Sequence, residues 1–156
     1  MESYQKSLLV MNELFGKDYQ FALATTHGNI PSVRFIDAYY ENESFYIVTH
    51  RKSQKVKEIH NNSHVSLTNR LYKFNGQAYD IGHPLDKKNK SIRERLIKVF
   101  QAWYFEHNNE DDEHMCYIEI KLADGFFYKD GTAYQVDFKN QLVKTFPFNF
   151  DIVPIS

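Results

Sequence analysis

"YQFALATTHGNIPSVRFIDAYYENESFYIVTH", residues 19–50, contains three strand-like runs, "YQFALATT", "SVRFIDAYY" and "SFYIVTH", rich in aromatic and β-branched residues. The turn signals "HGNIP" and "ENES" separate them, and the stretch reads as an antiparallel meander. Upstream, Ser3 is placed to cap a helix whose apolar residues Leu8, Leu9, Met11, Leu14 and Phe15 recur near the helical period, with Gly16 at its end. Downstream, "SQKVKEIHNN" predicts a short helix with Val56 and Ile59 facing inward, and "HVSLTN" and "YKFNGQAYDIG" predict strands. Ser91 and Glu94 suggest a capping box for a helix "SIRERLIKVFQAWYF", with Ile92, Leu96, Val99 and Trp103 on one face. The runs "MCYIEIKLADGFFYKD" and "TAYQVDFKNQLVKTF" return to strand. Consecutive antiparallel strands with few, short helices predict a mainly β architecture, a small antiparallel β-barrel with flanking helices.

The chain has 156 residues with no repeat, low-complexity segment or linker, which suggests one domain over 1–156. A net charge of -1 gives no reason to expect nucleic acid or an anionic membrane as partner, so any anion site must be local. A lone cysteine, Cys116, beside "YIEI", reads as a small core hydrophobe. With no signal-like or membrane-spanning stretch near the N-terminus, the cytoplasm is the expected location. The aromatic share of 16% suits both β-structure and a planar ligand.

Several chemistries are absent as motifs. The six glycines are never grouped as a dinucleotide or nucleotide loop requires, and neither G-x-S-x-G nor H-E-x-x-H occurs. His60 and His64 span an element boundary, and "EHNNEDDEH" lacks cysteine and ligand spacing, so no metal is expected. The stretch "THRKSQK", residues 49–55, is different. Ser53 stands at a helix N-cap, where the first amides lack intrahelical acceptors, and Lys55 adds a full charge. Together they outline a socket for an anion. One strand earlier Arg34 sits among hydrophobic residues and needs a partner: a phosphate, a ring edge, or Asp37.

Residues 19–82 carry an "LAT" strand, a "G-x-P" turn, a strand with Arg, an aromatic-rich strand ending in Thr, "S-x-K" opening a helix, and "N-N-x-x-V-S-L". This pattern resembles the FMN-binding split β-barrels of the pyridoxamine 5′-phosphate oxidase-like superfamily, in particular its short general-stress-protein-like and nitroimidazole-resistance-like members. The resemblance implies FMN as cofactor, with Arg34, Phe35 and Ile36 along the flavin ring and ribityl chain. It likewise implies Val48 and Thr49 beside the ribityl-phosphate, Ser53, Gln54 and Lys55 on the phosphate, and Gln77 as a polar contact to the ring. It also implies a homodimer with the flavin at the subunit interface, where Trp103 could cover the ring from the partner chain or simply pack within its own helix. Gln54 stands where the pyridoxamine-phosphate oxidases proper carry an arginine, and Tyr39 where they carry a substrate-phosphate lysine, so vitamin B6 oxidation is not expected. The implied activity is oxidoreduction of a small planar or nitroaromatic acceptor, with the flavin supplying the redox chemistry and no side chain assigned as catalytic. His50 reads as a surface residue. A non-enzymatic flavin-binding stress protein, and a barrel holding haem or a deazaflavin, stay open as alternatives; haem would need His27, His50 or His114 as axial ligand.

Overall fold

A computed structural model describes residues 2–149. In chain order the elements are α1 (Glu2–Phe15), β1 (Tyr19–His27), β2 (Ile30–Glu41), β3 (Ser44–His50), α2 (Gln54–Asn61), β4 (His64–Asn69) and β5 (Tyr72–Gly82). A 3₁₀ turn at Lys87–Asn89 leads into α3 (Lys90–Val99) and α4 (Tyr104–His107), followed by β6 (Met115–Lys129), β7 (Thr132–Asp137) and β8 (Leu142–Pro147). All ladders are antiparallel, in the order β3-β2-β1-β4-β5-β6, and β3 pairs with β6 to close the ring. Closure gives every barrel strand a partner on both sides, the β2–β3 ladder only over three residue pairs. From the far end of β6, β7 and β8 continue as an appended hairpin.

Strand alternation explains the two cores. Phe21, Leu23, Phe45, Ile47, Phe74, Ile118 and Ile120 point into the barrel, and Phe15 of α1 plugs it with no exposed surface. Its ring meets those of Phe21, Phe45 and Phe74 at 5.5, 5.8 and 5.5 Å between centroids, within the range of favourable aromatic pairs. On β6, Cys116 and Ile118 face the barrel, whereas Met115 and Tyr117 face a second cluster with Ile92, Leu96, Phe100 and Tyr104 of the α3–α4 segment. Both faces of β6 are therefore covered, which is why Met115 to Ile118 are buried without a break. At Gly76 an added Cβ would lie 2.4 Å from the Lys121 carbonyl oxygen, so the β5 irregularity there requires glycine. No helix among the described residues is long and apolar enough to cross a membrane.

Three local expectations give way. Ser3 lies inside α1 rather than before it. The N-cap of α3 is Asn89, not Ser91, and Ser91 Oγ instead accepts from Arg95 at 2.6 Å. That helix also stops at Val99: Phe100 turns into the second cluster, and Trp103 becomes the cap of a separate short helix.

Candidate cofactor site

The ladder between β2 and β3 is short. It runs only from Glu41↔Ser44 to Tyr39↔Tyr46, after which β2 stays with β1 while β3 stays with β6. The two strands part, and a cavity of about 530 Å³ opens between them. Ile36 and Asp37 form one lip, Ile47, Val48, Thr49 and His50 the other; Ser53 and Lys55 close one side, and Trp103, His107 and Asn108 another.

At the start of α2 the polar chemistry is unfinished. Ser53 occupies the N-cap but makes no side-chain cap bond, and its buried Oγ has no hydrogen-bond partner among the described residues. Lys55 is half-buried, with no hydrogen bond or ion pair among the described residues, and burial followed by the Arg34 charge lowers its pKa. A hydroxyl, an ammonium and the first amides of a helix converge where no side chain among the described residues answers the hydroxyl or the ammonium, which is the donor set that binds a phosphate.

Behind this socket lies a closed network. Arg34 Nη1 donates to the Leu23 carbonyl (3.2 Å) and to Thr25 Oγ1 (2.7 Å), and its guanidinium stands 3.8 Å from Glu58 Oε1. Glu58, 2% exposed, accepts from Thr25 (2.6 Å), from Gln54 Nε2 (2.7 Å) and from Ser32 (3.4 Å). Those bonds, Thr25 first and Gln54 next, hold its carboxyl below the usual range. Arg34 is therefore paired with Glu58 of α2 and not with Asp37, which strand alternation turns to the opposite face of β2.

The residues singled out in the sequence separate accordingly. Ile36, Val48, Thr49, Ser53 and Lys55 line one cavity. Arg34 and Gln54 stand behind it in the Glu58 network. Phe35 points outward and is 71% exposed. Gln77 borders a different cleft, where its Oε1 accepts from Tyr79 (2.6 Å) and Ser63 (3.3 Å). His50 is not a free surface residue: it lines the cavity, its Nδ1 accepts the Lys52 amide (3.2 Å), and its Nε2 donates to Asp112 (2.8 Å). Trp103 reaches the cavity from its own chain, its Nε1 donating to Asp18 Oδ2 at 2.8 Å.

Sequence reasoning missed Glu58 as the partner of Arg34, although an acidic residue four positions after Gln54 on a helix is a readable signal. It also missed Asp37 as a cavity residue. Its carboxyl is raised from 3.8 to about 6 by burial first and then by the hydrogen bond and charge of Asp18. Cys116 is buried, and burial pushes its thiol up to about 12, which removes it from nucleophilic chemistry. Among the described residues no cluster of His, Cys, Asp and Glu is arranged to hold a metal.

Three solved structures share the fold. A nimC/nimA family protein from Clostridium acetobutylicum is 18% identical over 92% of this chain and 92% of that one, with a TM-score of 0.56. General Stress Protein 26 from Bacillus anthracis is 20% identical over 81% and 93%, at 0.54. A pyridoxamine 5′-phosphate oxidase-related, FMN binding protein from Nostoc punctiforme is 14% identical over 94% and 95%, at 0.53. No curated protein matches the chain. The pyridoxamine 5′-phosphate oxidase family model matches residues 10–129, a span that takes in the whole closed barrel and every residue lining the cavity, and the chain belongs to that family.

Proposed function

We propose that the cavity at the β2–β3 split binds FMN and that the protein is an FMN-dependent oxidoreductase acting on a small planar or nitroaromatic acceptor. The observation that carries this reading is the partnerless Ser53 hydroxyl beside the unpaired Lys55 at the start of α2. A phosphomonoester would take the Ser53 hydroxyl, the Lys55 ammonium and the first α2 amides. The parted edges of β2 and β3, at Ile36–Asp37 and Val48–Thr49, offer backbone groups and apolar surface to a flat ring system. Arg34 keeps α2 docked through Glu58, so its contribution to the phosphate is long-range charge rather than a direct bond. A bound flavin would supply the redox chemistry itself. The FMN binding protein of the same fold from Nostoc punctiforme supports this choice of cofactor.

A homodimer follows from the same reading. Val33 and Phe35 share the outer face of β2 at 69 and 71% exposure, an apolar pair suited to a second copy. Enzymatic function is tested by loading the protein with FMN and measuring NAD(P)H-driven reduction of a nitroaromatic. Turnover above that of the same concentration of free FMN is expected; a rate no faster than free FMN would leave a flavin-binding protein without this activity.

A further inference from the structure

The acidic stretch "EHNNEDDEH", residues 106–114, leads from α4 into β6, and its carboxylates are fastened on two sides. Glu110 accepts from Arg93 Nε and Nη2 (2.8 and 2.6 Å) and from the Tyr104 hydroxyl (2.9 Å). Asp112 is committed at every oxygen. Its Oδ1 accepts the His114 amide (2.9 Å), and its carbonyl oxygen accepts His83 Nε2–H (3.0 Å) and the Met115 amide (3.1 Å). Its Oδ2 accepts His50 Nε2–H (2.8 Å). On the other side of that ring, His50 Nδ1 accepts the Lys52 amide (3.2 Å); an amide can only donate, so this contact places the ring proton on Nε2, facing Asp112. The His50 carbonyl oxygen also accepts the Ser53 amide (3.0 Å), so one residue closes the turn that ends at the N-cap of α2. Arg51, inside the turn, is spent on Asp80 Oδ2 (2.7 Å) and does not line the cavity.

We propose that Asp112 is a positioning residue for the anion socket: through the His50 ring it fixes the His50–Ser53 turn, and with it the place of the Ser53 hydroxyl and the first amides of α2. Asp112 itself is not among the residues that line the cavity. The two contacts of the ring, to Asp112 and to the Lys52 amide, require one orientation and one tautomer. Without Asp112 the partly exposed ring regains rotamer freedom and its second tautomer, in which Nδ1–H would face the Lys52 N–H, donor against donor. Charge and position then make opposite predictions. A carboxylate near a phosphate socket repels the anion, so removing it would tighten binding if charge alone mattered. A positioning role requires that binding weaken. The consequence for the phosphate rests on the flavin reading of the cavity; the hold on the turn does not.

FMN and riboflavin, which lacks the phosphate, separate the socket from the rest of the cavity when each is titrated into the full chain and followed by flavin fluorescence. In Asp112→Ala the Kd for FMN should rise about tenfold and that for riboflavin by less than about twofold. In a His50→Ala background the same change should add little, because the link from Asp112 to the turn is already cut. Unchanged or tighter FMN binding in Asp112→Ala, an equal loss for both flavins, or a further loss of the same size on top of His50→Ala overturns the proposal. In the ligand-free chain, exchange of the Lys52 amide, followed by NMR, should be faster by about threefold or more in Asp112→Ala than in the wild type. An unchanged rate overturns the hold on the turn. Wild-type protein that binds neither flavin overturns the flavin reading, and faster Lys52 exchange in Asp112→Ala then still supports the hold on the turn.

Discussion

Lys55 and Glu58 sit three residues apart on α2 and do opposite work. Lys55 is a half-buried cation that the fold leaves unanswered, whereas Glu58 is a buried anion saturated by Thr25, Gln54, Ser32 and Arg34. Removing Glu58 strands Arg34 and the hydroxyl of Thr25, so Glu58→Ala should lower Tm by about 5 °C or more, measured by thermal denaturation. Because its carboxyl is held below the ordinary value, the stability it supplies is present above its unfolded pKa and is lost as the pH falls through the folded one. Asp37 has the reverse sign. Its folded pKa is raised, so its contribution is present at acid pH and is lost as the pH rises through about 6. Asp37→Asn should therefore raise Tm relative to the wild type more at pH 8 than at pH 5, with the difference vanishing below the unfolded pKa of 3.8, a comparison that thermal scans across this range check.

The elements themselves were largely legible. β3, β4 and β5 fall on the runs that the alternation of apolar residues marks out, and α2 follows its N-cap serine as read. The cavity was not legible as a shape, because it depends on where the β2–β3 ladder stops. Ladder length is decided by which other strand each partner prefers, β1 for one and β6 for the other, and no local signal records that competition. The end of α3 was hidden for a related reason: Ile92, Leu96, Val99 and Trp103 keep helical spacing past the point where burying Phe100 breaks the helix. The site residues divide along the same line. Ser53 and Lys55 were marked by helix-end chemistry together with the resemblance carried by residues 19–82, whereas the pairing of Arg34 with Glu58 needed the tertiary arrangement. At the close approach of β5 to β6, Gly76→Ala forces a methyl against the Lys121 carbonyl and should cost about 1–3 kcal/mol in urea unfolding.

For the whole molecule, the outer face of β2 carries two adjacent exposed apolar side chains, Val33 and Phe35. The homodimer proposed above predicts that Val33→Asp with Phe35→Asp shifts the protein to a monomer in analytical ultracentrifugation, with Tm of the barrel changed by no more than a few degrees, since both side chains are already exposed. A variant that stays dimeric would move the interface elsewhere. The central claim, however, concerns the socket at the split. FMN titrated into the full chain and followed by flavin fluorescence should bind, and Ser53→Ala with Lys55→Ala should weaken that binding by about 100-fold or more. In the absence of FMN the same double variant should melt at or slightly above the wild-type Tm, because neither side chain has a partner among the described residues to lose. Unchanged FMN affinity in the double variant, or no binding by the wild type, would contradict the account.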